Sequence, residues 1–259
     1  MSRYPIIDSH CHTGTAGILA RPGEPDVSLV RYAVRAVEAG IGCTVIMAPP
    51  VGEYAAANRM VSEVVMANPG RYLGYVFVNP EGDRGRVDEV VAGARGWGAR
   101  GIKVHWSDGA ITQEIAEVAR RHRLPILYDP RGDISTVRKA TDAFPDVAWI
   151  VPHLSSFADD WKAQTAFIDE LTRTPNLFTD TAGVRYFDIL LDAIRRAGAH
   201  KVLFGSDGPY LHPGVELAKI TALKLAPLDF SLVTGGNVMR LIKRSRRPTP
   251  RRIRCNRSP

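Results

Sequence analysis

Short apolar runs and longer amphipathic segments alternate along most of the chain. The short runs are rich in β-branched residues and end in polar residues, which is typical of strands in a parallel sheet that is covered on both faces. In the longer segments the apolar residues recur with helical spacing, and Gly or Pro often follows where a helix is expected to end. The predicted strands are residues 4–12, 42–50, 72–80, 101–107, 124–130, 147–155, 176–183 and 201–210. The predicted helices are residues 28–39, 54–68, 86–97, 112–122, 134–143, 159–173 and 187–197, followed by a closing segment at 214–224 and a last helix at 236–242.

Eight strand–helix units predict an α/β protein with the (β/α)8 or TIM-barrel fold, rather than an open doubly wound sheet. A chain of 259 residues has the usual length for such a barrel, and we place this single domain at residues 1–242. No glycine-rich phosphate-binding loop follows a predicted strand, which argues against the common nucleotide-binding motifs.

The net charge of +7 arises in the C-terminal segment. Residues 243–259 contain eight Lys or Arg and no acidic residue, and without them 26 basic residues face 27 acidic ones. The segment has no apolar periodicity and no aromatic residue, so we predict a disordered basic tail. The alternative is an arm that binds nucleic acid through these cationic side chains.

The three cysteines, Cys11, Cys43 and Cys255, show neither metal-binding nor disulfide spacing. The N-terminal residues lead directly into the first predicted strand, and no apolar run approaches the ~18 residues that a membrane helix needs. We therefore expect a reduced, cytoplasmic protein that does not enter a membrane.

The first predicted strand ends in the sequence I-I-D-S-H-C-H, at residues 6–12. Because side chains alternate along a strand, we expect Asp8, His10 and His12 to project from one face. Burying two imidazoles and a carboxylate in hydrocarbon is costly, so this face should line a polar cavity. Two neutral imidazoles are also an incomplete ligand set for a divalent metal such as Zn²⁺.

Four further predicted strands end in ionisable residues directly after an apolar run. Each of these residues also has a structural interpretation, as a core histidine, an ion pair or a turn former. Their convergence favours a site, because catalytic groups of such barrels lie at the C-terminal ends of the strands. The residues are Lys103 and His105 on the fourth strand, Asp129 on the fifth, His153 on the sixth and Asp207 on the eighth.

The motifs I-D-S-H-C-H, G-I-K-V-H, V-P-H-L, L-F-G-S-D-G-P-Y and G-G-N-V-M-R-L together resemble the amidohydrolase superfamily. They are most similar to the amidohydrolase-related branch that includes aminocarboxymuconate-semialdehyde and resorcylate decarboxylases. The resemblance implies that His10, His12 and Asp207 are metal ligands, with Asp207 alternatively the base that acts on water. It implies that His153 is a catalytic acid or base, and that Lys103 occupies the position where binuclear members bridge two metals.

One position departs from the family pattern. Relatives usually place a metal-binding histidine at the end of the fifth strand, whereas L-P-I-L-Y-D places Asp129 there. A carboxylate also binds Zn²⁺, so we predict Asp129 as a metal ligand. Such a site is expected to hold Zn²⁺, with Mn²⁺ or Fe²⁺ as alternatives that this harder ligand favours.

The expected function is a metal-dependent hydrolase that cleaves a C–N or C–O bond of a small, carboxylate-bearing substrate. Lys103, His105 and Arg131 are the predicted substrate-binding residues. The alternatives are a metal-dependent, non-oxidative decarboxylase and a nucleic-acid-binding protein that acts through its tail. The expected partner is a small molecule and not a membrane, with a homodimer as an option. Nucleic acid is a partner only under the tail-binding alternative.

Overall fold

Eight parallel strands follow one another around a nearly closed barrel in the order in which they occur along the chain. The computed structural model describes residues 5–15, 26–157 and 160–244. Helices alternate with the strands, as the sequence predicts, and the (β/α)8 fold is confirmed. The strands are β1 (Ile6–His12), β2 (Ile41–Met47), β3 (Tyr72–Phe77), β4 (Gly101–His105), β5 (Ile126–Asp129), β6 (Trp149–Val151), β7 (Leu177–Asp180) and β8 (Val202–Leu203).

Ten helices occur in the described residues, seven of them between consecutive barrel strands. All of the predicted helices are present with shifts of a few residues at their ends. The helices are α1 (Leu29–Glu38), α2 (Ala55–Ala67), α3 (Val87–Gly96), α4 (Gln113–His122), α5 (Ile134–Ala143), α6 (Trp161–Arg173), α7 (Phe187–Ala197), α8 (Pro213–Ala222), α9 (Pro227–Ser231) and α10 (Asn237–Arg244). The structure adds α9, a π-helical turn at Leu232–Gly236, and a short hairpin of Gly14–Thr15 with Asp26–Val27.

The apolar side chains form two layers. The outer layer lies between strands and helices and includes Ile102 and Val104, which the alternation along the fourth strand places on the helix side. The inner layer fills the barrel, where Ile7 and Ala148 pack with Leu241 of α10. Because Ile7 and Ala148 lie near the N-terminal ends of their strands, α10 closes that end of the barrel, and the opposite end is left for a site.

The barrel closes between β8 and β1 without a regular ladder. β8 pairs with β7 over only two residues. Three backbone hydrogen bonds then join the following segment to β1: the amide of Ser9 donates to the Phe204 carbonyl (2.9 Å), that of Asp207 to His10 (2.8 Å) and that of His12 to Gly208 (2.6 Å). The ends of β1 and of the β8 segment are therefore held side by side at the C-terminal end of the barrel.

Two of the predicted strands are much shorter in the structure. The sixth ends at Val151 and continues as a 3-10 turn, because His153, Leu154 and Ser155 have positive φ angles between 51° and 77°. The eighth ends at Leu203. At the C-terminus, α10 reaches Arg244, two residues beyond the predicted boundary, and the rest of the predicted tail lies outside the described residues. Within the described residues, no helix combines the length and apolar character needed to cross a membrane.

Candidate active site

A cavity of about 410 Å³ lies at the C-terminal ends of the barrel strands. It contains every predicted site residue except Arg131, and Trp106, Phe157 and Tyr210 contribute aromatic surface. A larger cavity of about 710 Å³ at the opposite end has no histidine and only one carboxylate in its lining, so it lacks a metal-ligand set. The smaller cavity is lined by His10, His12, Pro50, Lys103, His105, Trp106, Asp129, His153, Phe157, Asp207, Tyr210 and Leu211.

His10, His12 and Asp207 direct three ligand atoms at one another. The Nε2 atoms of the two histidines are 3.2 Å apart, and Asp207 Oδ1 is 3.2 Å from His12 Nε2 and 3.6 Å from His10 Nε2. Their other ring nitrogens are engaged, since His12 Nδ1 donates to the Ala48 carbonyl (2.9 Å) and His10 Nδ1 donates to Asp180 Oδ2 (2.8 Å). Each Nε2 therefore presents a lone pair to the cluster.

This donor set fits a divalent cation. Ligands at about 2.0–2.2 Å in a tetrahedral site are about 3.3–3.6 Å apart, which is close to the separations in this cluster. Burial lowers the pKa of His10 to about 4, although the Asp180 carboxylate opposes the shift, so His10 is neutral near pH 7. Without a cation, two imidazole lone pairs and a carboxylate oxygen would repel one another at these distances. A metal held by His10, His12 and Asp207 would relieve that repulsion.

Asp180, at the end of β7, contacts His10 directly, and the sequence analysis does not single it out. Its Oδ2 accepts from His10 Nδ1, and its Oδ1 accepts from the backbone amides of His153 and Ala182 at 3.1 Å. Burial alone would raise the pKa of Asp180, but the interactions with His10 and His153 lower it. Carboxylates of this kind fix the tautomer and the ring orientation of metal-binding histidines. Its position at a strand end, in the sequence L-F-T-D, is the signal that could have identified it.

His153 faces the cluster across the cavity. Its ring centroid is 5.2 Å from that of His10, and its Nδ1 donates to the Ala182 carbonyl (2.7 Å). Its Nε2 is therefore the ring nitrogen that is available to exchange a proton or form a hydrogen bond with a bound ligand. The φ angle of 59° turns the backbone at this point, and Asp180 holds the turn through the His153 amide.

The prediction that Asp8 shares a face with the two histidines of β1 is wrong. Asp8 of β1 pairs with Thr44 of β2, and Cys11 of β1 pairs with Ile46 of β2. Between these two pairs β1 has one residue more than β2, which forms a β-bulge. A bulge reverses the alternation of side chains. The Asp8 carboxylate lies on the helix side of the strand, where it accepts from the Tyr32 hydroxyl at 2.7 Å. Burial raises the pKa of Asp8 to about 6, against the opposing hydrogen bonds.

Lys103 and His105 line the cavity from β4, in agreement with their predicted shared face. Lys103 is 1% exposed, and burial lowers the pKa of its amino group although nearby carboxylates oppose the shift. Burial and the Lys103 charge lower the pKa of His105 to about 3. His105 Nδ1 lies 2.7 Å from Ser107 Oγ, and its Nε2 lies 3.6 Å from Asp129 Oδ2. These two side chains supply a buried amino group and a neutral imidazole to the cavity wall.

Asp129 and Arg131 occupy different environments. Asp129 lies in the cavity wall, where its Oδ1 also accepts from the Arg131 amide at 2.9 Å. The Arg131 guanidinium stacks on Trp106 at 4.1 Å from the ring centroid and is not part of the cavity lining. Asp129 is not part of the cluster of His10, His12 and Asp207, whose ligand atoms all lie within 4.8 Å of one another.

Metal coordination by Asp129 stays a prediction, which metal titration of Asp129 variants tests directly. If it reaches the metal, Asp129→Ala should weaken metal binding by about 10-fold or more, as loss of a coordinating or supporting group does. Asp129→Asn should also weaken binding, because it removes the charge. If Asp129 only forms the turn to Arg131, Asn should serve equally well and leave affinity unchanged. Calorimetric titration of the purified variants with Mn²⁺ separates these results.

The sequence profile of the amidohydrolase family matches residues 7–241, and the chain belongs to this family. Solved structures with the same fold include a Pseudomonas putida protein assigned as a 2-pyrone-4,6-dicarboxylic acid hydrolase (TM-score 0.75, 16% identity, 93% of this chain and 98% of that chain covered). They also include 5-carboxyvanillate decarboxylase from Sphingomonas paucimobilis (0.70, 15%, 93% and 99%). A third is a dihydroxybenzoic acid decarboxylase from a Polaromonas species, with bound manganese and 2-nitroresorcinol (0.70, 16%, 94% and 97%). Among curated proteins, no significant match exists.

The chain is thus an enzyme of the amidohydrolase superfamily, whose members are metal-dependent. Its histidine and aspartate cluster could bind a divalent metal. Both hydrolases and decarboxylases share the fold, so the fold leaves the reaction class open.

Proposed function

We propose that this protein is a metal-dependent hydrolase that cleaves a C–N or C–O bond in a small substrate bearing a carboxylate. The observation that carries the proposal is the convergence of His10 Nε2, His12 Nε2 and Asp207 Oδ1 within 3.6 Å of one another on the cavity wall. Zn²⁺ is the metal that we favour for two histidines and a carboxylate, with Mn²⁺ or Fe²⁺ as alternatives.

The residues of this cluster and His153 have different roles in the proposed hydrolysis. A divalent metal held by His10, His12 and Asp207 would lower the pKa of water and polarise a carbonyl oxygen. Burial would raise the pKa of Asp207, but its interactions with His12 and His10 hold the pKa below the usual range, so the carboxylate is ionised and can accept a proton from the attacking water. His153, through Nε2, donates a proton to the leaving group or a hydrogen bond to the developing oxyanion.

Lys103 supports an acidic substrate. Its ammonium group is buried in the cavity wall, and among the described residues it has no hydrogen-bond partner. A buried charge without a direct partner is costly, so a substrate carboxylate would stabilise the charged form. His105, neutral because of its low pKa, is suited to hydrogen bonding beside Lys103. Arg131, above the Trp106 ring, would act at the entrance of the cavity.

The second candidate is non-oxidative decarboxylation of an aromatic or unsaturated carboxylic acid. The position of His153 favours it, because a ring 5.2 Å from His10 could protonate a substrate carbon as readily as a leaving group. Aromatic side chains in the cavity would also suit a planar substrate.

The two reactions release different products. We would purify the full chain, measure its metal content, and incubate the metal-loaded enzyme with lactones, amides and aromatic carboxylic acids. Cleavage of a lactone or amide with a new carboxylate supports the hydrolase, whereas release of CO₂ supports the decarboxylase. Protein that neither contains nor takes up a divalent metal would contradict both.

A further inference from the structure

The Asp8 carboxylate is completely buried, lies outside the cavity and still makes four hydrogen bonds. It accepts from the Tyr32 hydroxyl (2.7 Å), the Ser206 amide (2.9 Å), the Ser206 hydroxyl and the His10 amide (3.1 Å). These donors come from α1, from the segment after β8 and from the β1 bulge. The proposed chemistry uses none of these four bonds.

The bonds of Asp8 join the two backbone segments that carry metal ligands. On β1, Asp8 binds the amide of His10, whose carbonyl in turn accepts from the Asp207 amide. On the β8 side, Asp8 binds both the amide and the hydroxyl of Ser206, which directly precedes Asp207. The Asp8 carboxylate thus bonds to both segments from the helix side of β1, in addition to the direct backbone hydrogen bond between Asp207 and His10.

This fixation matters because Asp207 lies outside the regular part of β8 and is joined to β1 only through isolated backbone hydrogen bonds. β8 ends at Leu203, four residues before Asp207, and Asp207 has a φ angle of 54°. Such left-handed conformations in non-glycine residues persist only where the surroundings enforce them. The Ser206 hydroxyl, which donates to Asp8, also accepts from the Gly208 amide at 3.0 Å, so the same network holds the residues on both sides of Asp207.

Tyr32 supplies the bond that comes from outside the barrel. It is completely buried, and its hydroxyl lies between Asp8 and Thr44 Oγ1, which is 3.0 Å away. Its ring packs so closely against Gly208 that a Cβ there would lie 2.5 Å from the ring. Only glycine therefore fits at this position, and the ring and the turn after Asp207 constrain each other.

We propose that Tyr32, Asp8 and Ser206 form a positioning network that sets the His10–Asp207 separation and thereby the affinity of the site for its divalent metal. This inference rests on the proposed function, since it concerns the same metal site. None of the three side chains lines the cavity or is a proposed ligand. Supporting groups of this kind typically change metal affinity by 10–100-fold when they are lost.

The test compares two buried tyrosines. Tyr32→Phe removes the hydroxyl that binds Asp8, whereas Tyr75→Phe removes a buried hydroxyl that has no hydrogen-bond partner. Both are single-atom deletions at side chains that are at most 1% exposed. We would titrate each purified variant with Mn²⁺ by calorimetry, well below its melting temperature, and record the melting temperature of the metal-free protein separately.

We expect Tyr32→Phe to bind Mn²⁺ about 10-fold more weakly than the wild type and Tyr75→Phe to bind it unchanged. Ser206→Ala should weaken binding to a similar extent, and the double variant Tyr32→Phe/Ser206→Ala should lose less than the product of the two effects, because both act through Asp8. Ser206→Ala also provides the test if Tyr32→Phe does not fold.

A lower melting temperature with wild-type Mn²⁺ affinity would show that the network serves folding alone, and would overturn the inference. Equal loss of affinity in Tyr75→Phe would overturn it as well. If the wild type itself binds no divalent metal, the proposed function fails, and the network inference fails with it. Wild-type binding combined with unchanged affinity in the Tyr32 and Ser206 variants would refute only the inference.

Discussion

Replacing His10 and His12 together with alanine is expected to remove the bound metal and to lower kcat/KM by about 10³-fold or more. The metal contributes several kcal/mol of transition-state stabilisation in such sites, and each 1.36 kcal/mol corresponds to a factor of ten. The barrel should persist, since both side chains lie in the cavity lining rather than in either apolar layer. Elemental analysis of the purified variant and far-ultraviolet circular dichroism measure the two parts of this expectation.

The matched control is the double variant His122→Ala/His200→Ala. His122 ends α4 and pairs with Asp88 on the surface, and His200 lies at the opposite end of the barrel from the cavity. Two histidines are removed in each case, so a general effect of losing imidazoles would appear in both. Full metal occupancy in the His10/His12 variant would refute the site, whatever the activity.

The sequence predicted the barrel because eight mainly apolar strand runs alternate with segments of helical periodicity along the chain. The alternation on β4 was sufficient to place Lys103 and His105 in the cavity and Ile102 and Val104 in the outer layer. Strand ends in such a barrel meet at one mouth, so residues far apart in sequence could be assigned to one cavity without knowledge of any contact.

Other features depend on backbone geometry that the simple alternation of side chains along a strand does not predict. The β1 bulge inserts one residue and places Asp8 on the opposite face from the one predicted. The positive φ angles from His153 to Ser155 prevent the sixth strand from continuing, and the eighth strand stops at Leu203, four residues before the left-handed Asp207. The role of Asp180 depends on hydrogen bonds to His10 and His153 that form only after the strands are adjacent.

Asp207→Asn is expected to produce the second large effect. Asparagine keeps the size of the side chain and tolerates the left-handed conformation that Asp207 adopts, so the fold should be retained. It cannot accept the proton of the attacking water, however, and it offers a weaker ligand than a carboxylate. General-base catalysis contributes about 10²–10⁴-fold, so kcat should fall by that factor even when enough metal is added to saturate the site.

The structural interpretation of Asp207 predicts a different result. If this residue only formed the turn before Gly208, Asn would serve nearly as well, and kcat and metal affinity would both stay close to the wild-type values. Asp133→Asn is the matched control, because Asp133 caps α5 by accepting from the Thr136 amide, a role that Asn fills equally well. Steady-state kinetics at saturating Mn²⁺, with the metal affinity of both variants measured separately, distinguish a catalytic base from a turn former. A higher KM with unchanged kcat would assign Asp207 to substrate binding and would contradict its role as the base.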